Sequence, residues 1–131
     1  MAEYTVARID DIEGIWGGAF KRARSALGVT SFGMQVVDLP PNADRYPEHD
    51  HSSDGQEEVY VTLAGSGEIE IDGARHPLDA DHLVSVKAGT MRKVYAGADG
   101  LRILVIGGVP GAAYEVLEFT EVGAPDPSGA A

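Results

Sequence analysis

The chain has 131 residues, a formal net charge of −11, a pI near 4.6 and no cysteine. That length accommodates one domain with one hydrophobic core. The acidic balance argues against nucleic acid, whose phosphates need a basic stripe, and the absence of cysteine excludes disulfides, thiolate metal sites and thiol nucleophiles.

The opening residues, MAEYTVARIDDIEG, lack the basic-then-apolar pattern of a signal peptide, and no window approaches a membrane span. With no cysteine to oxidise, the expected location is the cytoplasm. Residues 3–9 alternate as a short strand, and the glycine-rich residues 10–18 run irregularly. Trp16 reads as a packing or subunit-contact residue. Residues 20–27 are good helix formers stopped by Gly28 at the C-cap, so the spacing predicts one short helix there. Residues 29–39 read as a strand ended by Pro40-Pro41. From Glu57 onward short apolar runs alternate with glycine and aspartate turns: Gly65-Ser66-Gly67, Asp72-Gly73, Asp79-Ala80-Asp81, Lys87-Ala88-Gly89 and Ala98-Asp99-Gly100. This spacing predicts an all-β sandwich or barrel. Tyr114 to Val122 can add a strand, and residues 123–131, rich in proline, glycine and alanine, read as a flexible tail.

The chemistry concentrates between Pro47 and Gly67. His49 and His51 stand at i and i+2, so on an extended strand both imidazoles project from one face. Glu58 lies on the next strand and shares a face with Tyr60 and Thr62, while Glu57 goes with Val59, Val61 and Leu63. Two imidazoles and a carboxylate are a donor set for a divalent transition metal with positions left open. Zinc, iron, nickel, copper and manganese all suit it in differing degree. His76 and His82 read as surface residues. No Gly-x-Ser-x-Gly elbow, phosphate loop or dinucleotide fingerprint is present.

The stretch resembles the first motif of the cupin superfamily, in which His-x-His is followed by a glutamate seven residues before a glycine; here that pair is Glu58 and Gly65. The spacer after His51 is longer than usual, so residues 52–56 should bulge outward. The second cupin motif, Pro-x-Gly-x-x-His, is degenerate: Lys87-Ala88-Gly89-Thr90-Met91-Arg92 has lysine for the proline and arginine for the third metal histidine. The resemblance covers about residues 34–108. It implies a double-stranded β-helix (jelly-roll) barrel within a single domain of residues 1–122, with His49, His51 and Glu58 as metal ligands. It also implies a pocket drawing on Arg92, Tyr60, Thr62, Met34 and Gln35, with Tyr46 a further lining residue. Arg92, facing the site, would weaken or replace the metal.

Three functions follow from the resemblance. The first is a small cupin holding a divalent metal, a small acidic metabolite or both, as dioxygenases, isomerases and cyclases of that superfamily do. The second is a non-catalytic ligand-binding or sensing module. The third is a metal-free epimerase-like cupin with a histidine as base and Tyr60 as proton donor. Small cupins usually pair, so a homodimer is expected, with Trp16, Val61 and Ile103 as outward apolar candidates.

Overall fold

The computed structural model describes residues 2–129. Seven strands, all paired antiparallel, make up the domain: β1 (Gly14–Ile15), β2 (Phe20–Lys21), β3 (Gly33–Leu39), β4 (Glu57–Ile71), β5 (Ala74–Leu78), β6 (Leu83–Val86) and β7 (Arg92–Gly108). The strand order is β1-β2-β3-β7-β4-β5, with β6 on the free side of β4. This is an all-β jelly-roll barrel with one short helix, α1 (Ala23–Leu27). Among the described residues, no helix is long and apolar enough to cross a membrane.

β4 and β7 are the frame. Each runs the length of the barrel and pairs with the other at both ends, from Glu57 against Gly108 to Ile71 against Arg92. Residues expected to reverse the chain at Gly65–Gly67 instead carry β4 through two register shifts. Gly65 takes φ 70°, and a side chain there would strike the Gly100 carbonyl; one at Gly67 would strike the Tyr95 carbonyl. Glycine therefore lets β7 close against a bulge that bends the strand and redirects its pairing. The same device at Gly100 keeps β7 continuous where a turn was expected at residues 98–100. Asp72-Gly73, with φ 51° and 78°, is the tight hairpin turn anticipated between β4 and β5.

Alternation along β3 sorts its side chains between two clusters. Val37 and Leu39 enter the barrel core with Tyr60, Ile69, Val94 and Ile103. Met34 and Val36 face the other way and pack with Ile12, Ala23 and Ala26 around α1. The helix is shorter than the expected residues 20–27 because Phe20 and Lys21 pair with Val37 and Val36 instead. Gly28 caps it in the left-handed region, donating to the carbonyls of Arg24 and Ser25. Residues 3–9 form no strand, and neither do residues 114–122, which hold only a 3₁₀ turn at Glu118–Thr120.

The segment after β7 is tied across one end of the barrel by α1 and the residues before it. Arg22, 1% exposed, donates from Nε to the Phe119 carbonyl at 2.8 Å, from Nη1 to Glu13 at 2.8 Å and from Nη2 to the Pro125 carbonyl at 3.3 Å. Glu13 also accepts from the Gly123 amide, Arg24 pairs with Glu121, and Asp126 accepts from the Trp16 amide. The stretch read as a flexible tail thus holds three of these contacts, at Gly123, Pro125 and Asp126; residues 130 and 131 lie outside the described residues.

Candidate metal centre

The two histidines lie in a loop rather than a regular strand, yet their rings do share a face. His49 forms a single antiparallel bridge with Arg92, and the His51 amide donates to the Ala88 carbonyl at 2.7 Å. The ring centroids are 5.1 Å apart. Glu58, 3% exposed, rises from β4 below them, and one donor atom from each of His49, His51 and Glu58 falls within a 4.8 Å cluster. Strand parity holds: Glu58 and Tyr60 are buried inward, while Val59 is 38% exposed on the outside. Glu57 reaches solvent and pairs with Lys87, the residue standing for the motif's proline, at 2.9 Å.

Each ring is oriented from behind. His49 Nδ1 lies 3.0 Å from the Pro47 carbonyl, which can only accept, so that nitrogen carries the proton and Nε2 keeps a lone pair. His51 Nδ1 sits 3.1 Å from both oxygens of Asp54, which fixes the same tautomer. Residues 52–56 loop out, as the long spacer suggested, and that loop is what returns Asp54 to the ring. Gln56, 6% exposed, holds Asp54 in turn with its side-chain amide at 3.2 Å. Its Oε1 lies where a side chain at Gly107 would collide with it and one at Gly33 would be crowded. Tyr60 donates to Glu58 Oε1 at 2.8 Å and so aims the carboxylate.

With both protons turned outward, the inward atoms are acceptors. His51 Nε2 is buried, lies 3.1 Å from Glu58 Oε1 and makes no hydrogen bond; His49 Nε2 is 3.8 Å from the same oxygen. Lone pairs facing one another at this range repel unless a second proton on the imidazole or a metal ion lies between them. A divalent ion with tetrahedral ligand bonds of about 2.1 Å sets its donors roughly 3.4 Å apart. The distances from His51 and His49 to Glu58, 3.1 and 3.8 Å, bracket that spacing. The residues fit such an ion. Burial pushes the Glu58 carboxyl up, but imidazoles that carry a proton on Nε2 as well, in the ion's place, and the Tyr60 hydroxyl outweigh it and hold it well below the usual carboxylate range. The Glu58 carboxylate raises His51 against the opposing effect of burial, with Asp54 adding to the rise. Burial, joined by the charge on Glu58, pushes the Tyr60 and Tyr46 hydroxyls up, so both stay protonated.

The centre opens into a cavity of about 200 Å³. Gln35 and Tyr46 line it as expected from the sequence; Met34, Tyr60, Thr62 and Arg92 do not. Met34 lies on the α1 side of β3. Tyr60 sits beneath Glu58 with its hydroxyl committed there, so it aims that carboxylate and does not line the cavity. Thr62 lies deeper, its buried hydroxyl without a partner. Arg92 faces inward beside His49, because directly bridged residues project to one side of a sheet. Its side chain is fully buried, and Nη2 donates to the carbonyls of Val86 and Lys87 at 3.4 and 3.0 Å. Nε and Nη1 have no partner. His76 and His82 are exposed and distant from this cluster.

Sequence reasoning missed the outer wall. Trp16, Phe20 and Phe119 pack ring against ring, with centroids 5.4 to 6.0 Å apart, and Trp16 also meets Tyr46 at 6.3 Å. Tyr114 and Leu117 complete that side. Phe119 is 103 positions from Trp16, and no periodicity links them; the ties of Arg22, Glu13, Arg24 and the Trp16 amide to residues 119–126 bring them together.

The sequence profile of the cupin domain matches residues 35–107. The chain belongs to the cupin family. Similar solved cupins include one from Bacteroides fragilis, 23% identical, with a TM-score of 0.69 over 89% of this chain and 93% of that one. A sugar phosphate isomerase of the cupin superfamily from Silicibacter pomeroyi is 22% identical, with a TM-score of 0.64 over 87% and 83%. KdgF from a Halomonas species is 18% identical, with a TM-score of 0.52 over 63% and 74%. At these identities the likeness is one of fold. No curated protein matches the sequence significantly. Against the cupin pattern, the centre keeps the first motif's three ligands and replaces the second motif's histidine with a buried arginine.

Proposed function

We propose that this cupin binds one divalent transition metal ion through His49 Nε2, His51 Nε2 and Glu58, and presents its open positions to a small ligand in the adjoining cavity. The observation that carries this reading is the buried, unbonded His51 Nε2 facing Glu58 Oε1 at 3.1 Å. When bound, the ion supplies Lewis acidity or a site for dioxygen. The chain's own residues do the positioning: Pro47 and Asp54 hold the imidazole protons away from the centre, Gln56 holds Asp54, and Tyr60 aims Glu58. Such outer partners fix the tautomer and ring angle of metal-bound histidines. Among the described residues lining the cavity there is no lysine or arginine to receive a phosphate, so the isomerase activity named for the Silicibacter protein is not carried over.

Elemental analysis of untagged protein tests the reading and should find about one transition-metal ion per chain; protein that neither retains nor takes up an ion would refute it. Affinity should also fall as pH is lowered, because protons compete for His51 Nε2. Since Glu58 raises His51 above 6.5, that loss should begin above pH 6.5. Zinc titrations across pH 5.5 to 8 would show it, and a flat profile would contradict it.

We further propose that the protein pairs through the outer face of β4 and β6. Of the outward apolar candidates read from the sequence, Ile103 is fully buried in the core and Trp16 faces the cavity. Val59, Leu63 and Leu83 are 38%, 44% and 75% exposed, and Leu83 is paired with Val61. Light scattering at micromolar concentration should give twice the chain mass, with Leu83→Glu reducing it to one; a monomeric wild type would end the idea.

A further inference from the structure

We infer that the ligand of this centre is a planar aromatic anion of about one ring, bringing one or two donor oxygens to the ion. The inference rests on the metal reading above. Three observations on the chain lead to it.

The first is charge. A divalent ion with Glu58 as its only carboxylate ligand keeps one positive charge, which Asp54 behind His51 offsets from outside the ligand set, and the buried guanidinium of Arg92, on the same inward face, adds another that nothing in the ligand set answers. Uncompensated charge in a site of low dielectric is expensive, so an anionic donor is favoured over a neutral one. The second is the wall. Opposite the ligand set stand Trp16, Phe20, Tyr46 and Phe119. Their ring faces and edges suit another ring, whereas the many hydroxyls of a sugar would be left short of partners. Of the polar side chains in the lining, Gln56 is bound to Asp54 and Thr120 to the Leu117 carbonyl, which leaves chiefly Gln35 and the Tyr46 hydroxyl to meet polar groups of a guest. The cavity of about 200 Å³ falls below the range of roughly 300–1,000 Å³ for drug-sized ligands, which limits the guest to about a single ring.

The third is the backbone at Trp16. Its φ of 55° is a conformation that a bulky residue adopts only when the surroundings enforce it, and the Asp126 carboxylate does so by accepting the Trp16 amide at 2.9 Å. Backbone held in this way concentrates at ligand clamps. Here it turns the indole toward the cavity and not toward solvent.

Calorimetry on zinc-loaded protein tests this with three probes. Salicylate and lactate offer the same carboxylate-and-hydroxyl donor set, one with a ring and one without; glucose 6-phosphate is the polar anion. Salicylate should bind at least tenfold more tightly than either and quench Trp16, the only tryptophan in the chain. Phe119→Leu retains bulk and the backbone carbonyl that Arg22 holds, so the fold should survive. It should weaken salicylate about three- to tenfold, the usual value of an aromatic pair, while zinc stays at one per chain. Equal affinity for lactate, tighter binding of glucose 6-phosphate, or unchanged salicylate binding in Phe119→Leu would each overturn the aromatic assignment and leave the metal reading intact. Failure to load zinc would overturn both.

Discussion

His51→Ala should lower the affinity for zinc by at least about a hundredfold, with His49→Ala close behind. Each removes one of only three protein ligands, and loss of even an outer partner of a metal-bound histidine typically costs about 10–100-fold. His51 is the more buried of the two, lies nearer Glu58 and has its proton held by a carboxylate, so its loss should be the greater. Asp54→Ala should fall between wild type and His51→Ala, because the ring remains but its tautomer and angle are no longer fixed. His76→Ala and His82→Ala should be silent: both side chains are exposed, and His82 is occupied by Asp79 at 2.7 Å. Titration calorimetry reads all five. A His82→Ala loss equal to that of His51→Ala would move the site elsewhere.

The second large effect is expected at Arg92. A guanidinium roughly 7 Å from a divalent ion repels it by about 5 kcal/mol at an effective dielectric near 20. The Val86 and Lys87 carbonyls, both accepting from Nη2, offset part of that repulsion, so the full figure should not appear. Arg92→His removes the charge and sets an imidazole beside His49, from a backbone position already bridged to it. Affinity for zinc should rise at least tenfold. Arg92→Met separates the two causes. A rise in both variants assigns the gain to removal of charge; a rise in Arg92→His alone assigns it to a third ligand. If neither changes, the guanidinium is insulated from the centre, and the charge argument for an anionic ligand loses its second contribution.

What could be read in the sequence was the local and the periodic. Strand parity separated Glu58 from Glu57, the His-x-His spacing set two rings on one face, and Asp72-Gly73 fixed a hairpin. Glycine was the ambiguous signal. At Gly65 and Gly100 a positive φ serves a bulge inside a long strand as well as it serves a turn, and only the partner strand decides between them. Tyr60 and Met34 fell on the right strands with the wrong neighbours: one is held beneath Glu58, and the other packs outward on α1. The aromatic wall was hidden because its members come from the two ends of the chain. Arg22 gave no warning either, since a buried arginine looks in sequence like any basic residue on a short helix.

The closure by Arg22 divides the molecule into two inheritances. The proposed ligand cradle is written in β4, β7 and the loop between β3 and β4, which the pairing of the long strands holds in register, so change there would disturb the barrel as well as the site. The facing wall is written partly in residues 114–126, which lie outside the sheet and are fastened mainly by main-chain carbonyls and amides. Side chains at Tyr114, Leu117 and Phe119 are thereby free to change without loosening the fastening. If the centre holds its ion, exchanges at these three positions would change the molecules that reach it while the barrel and the side chains of Glu121 and Asp126 keep their contacts.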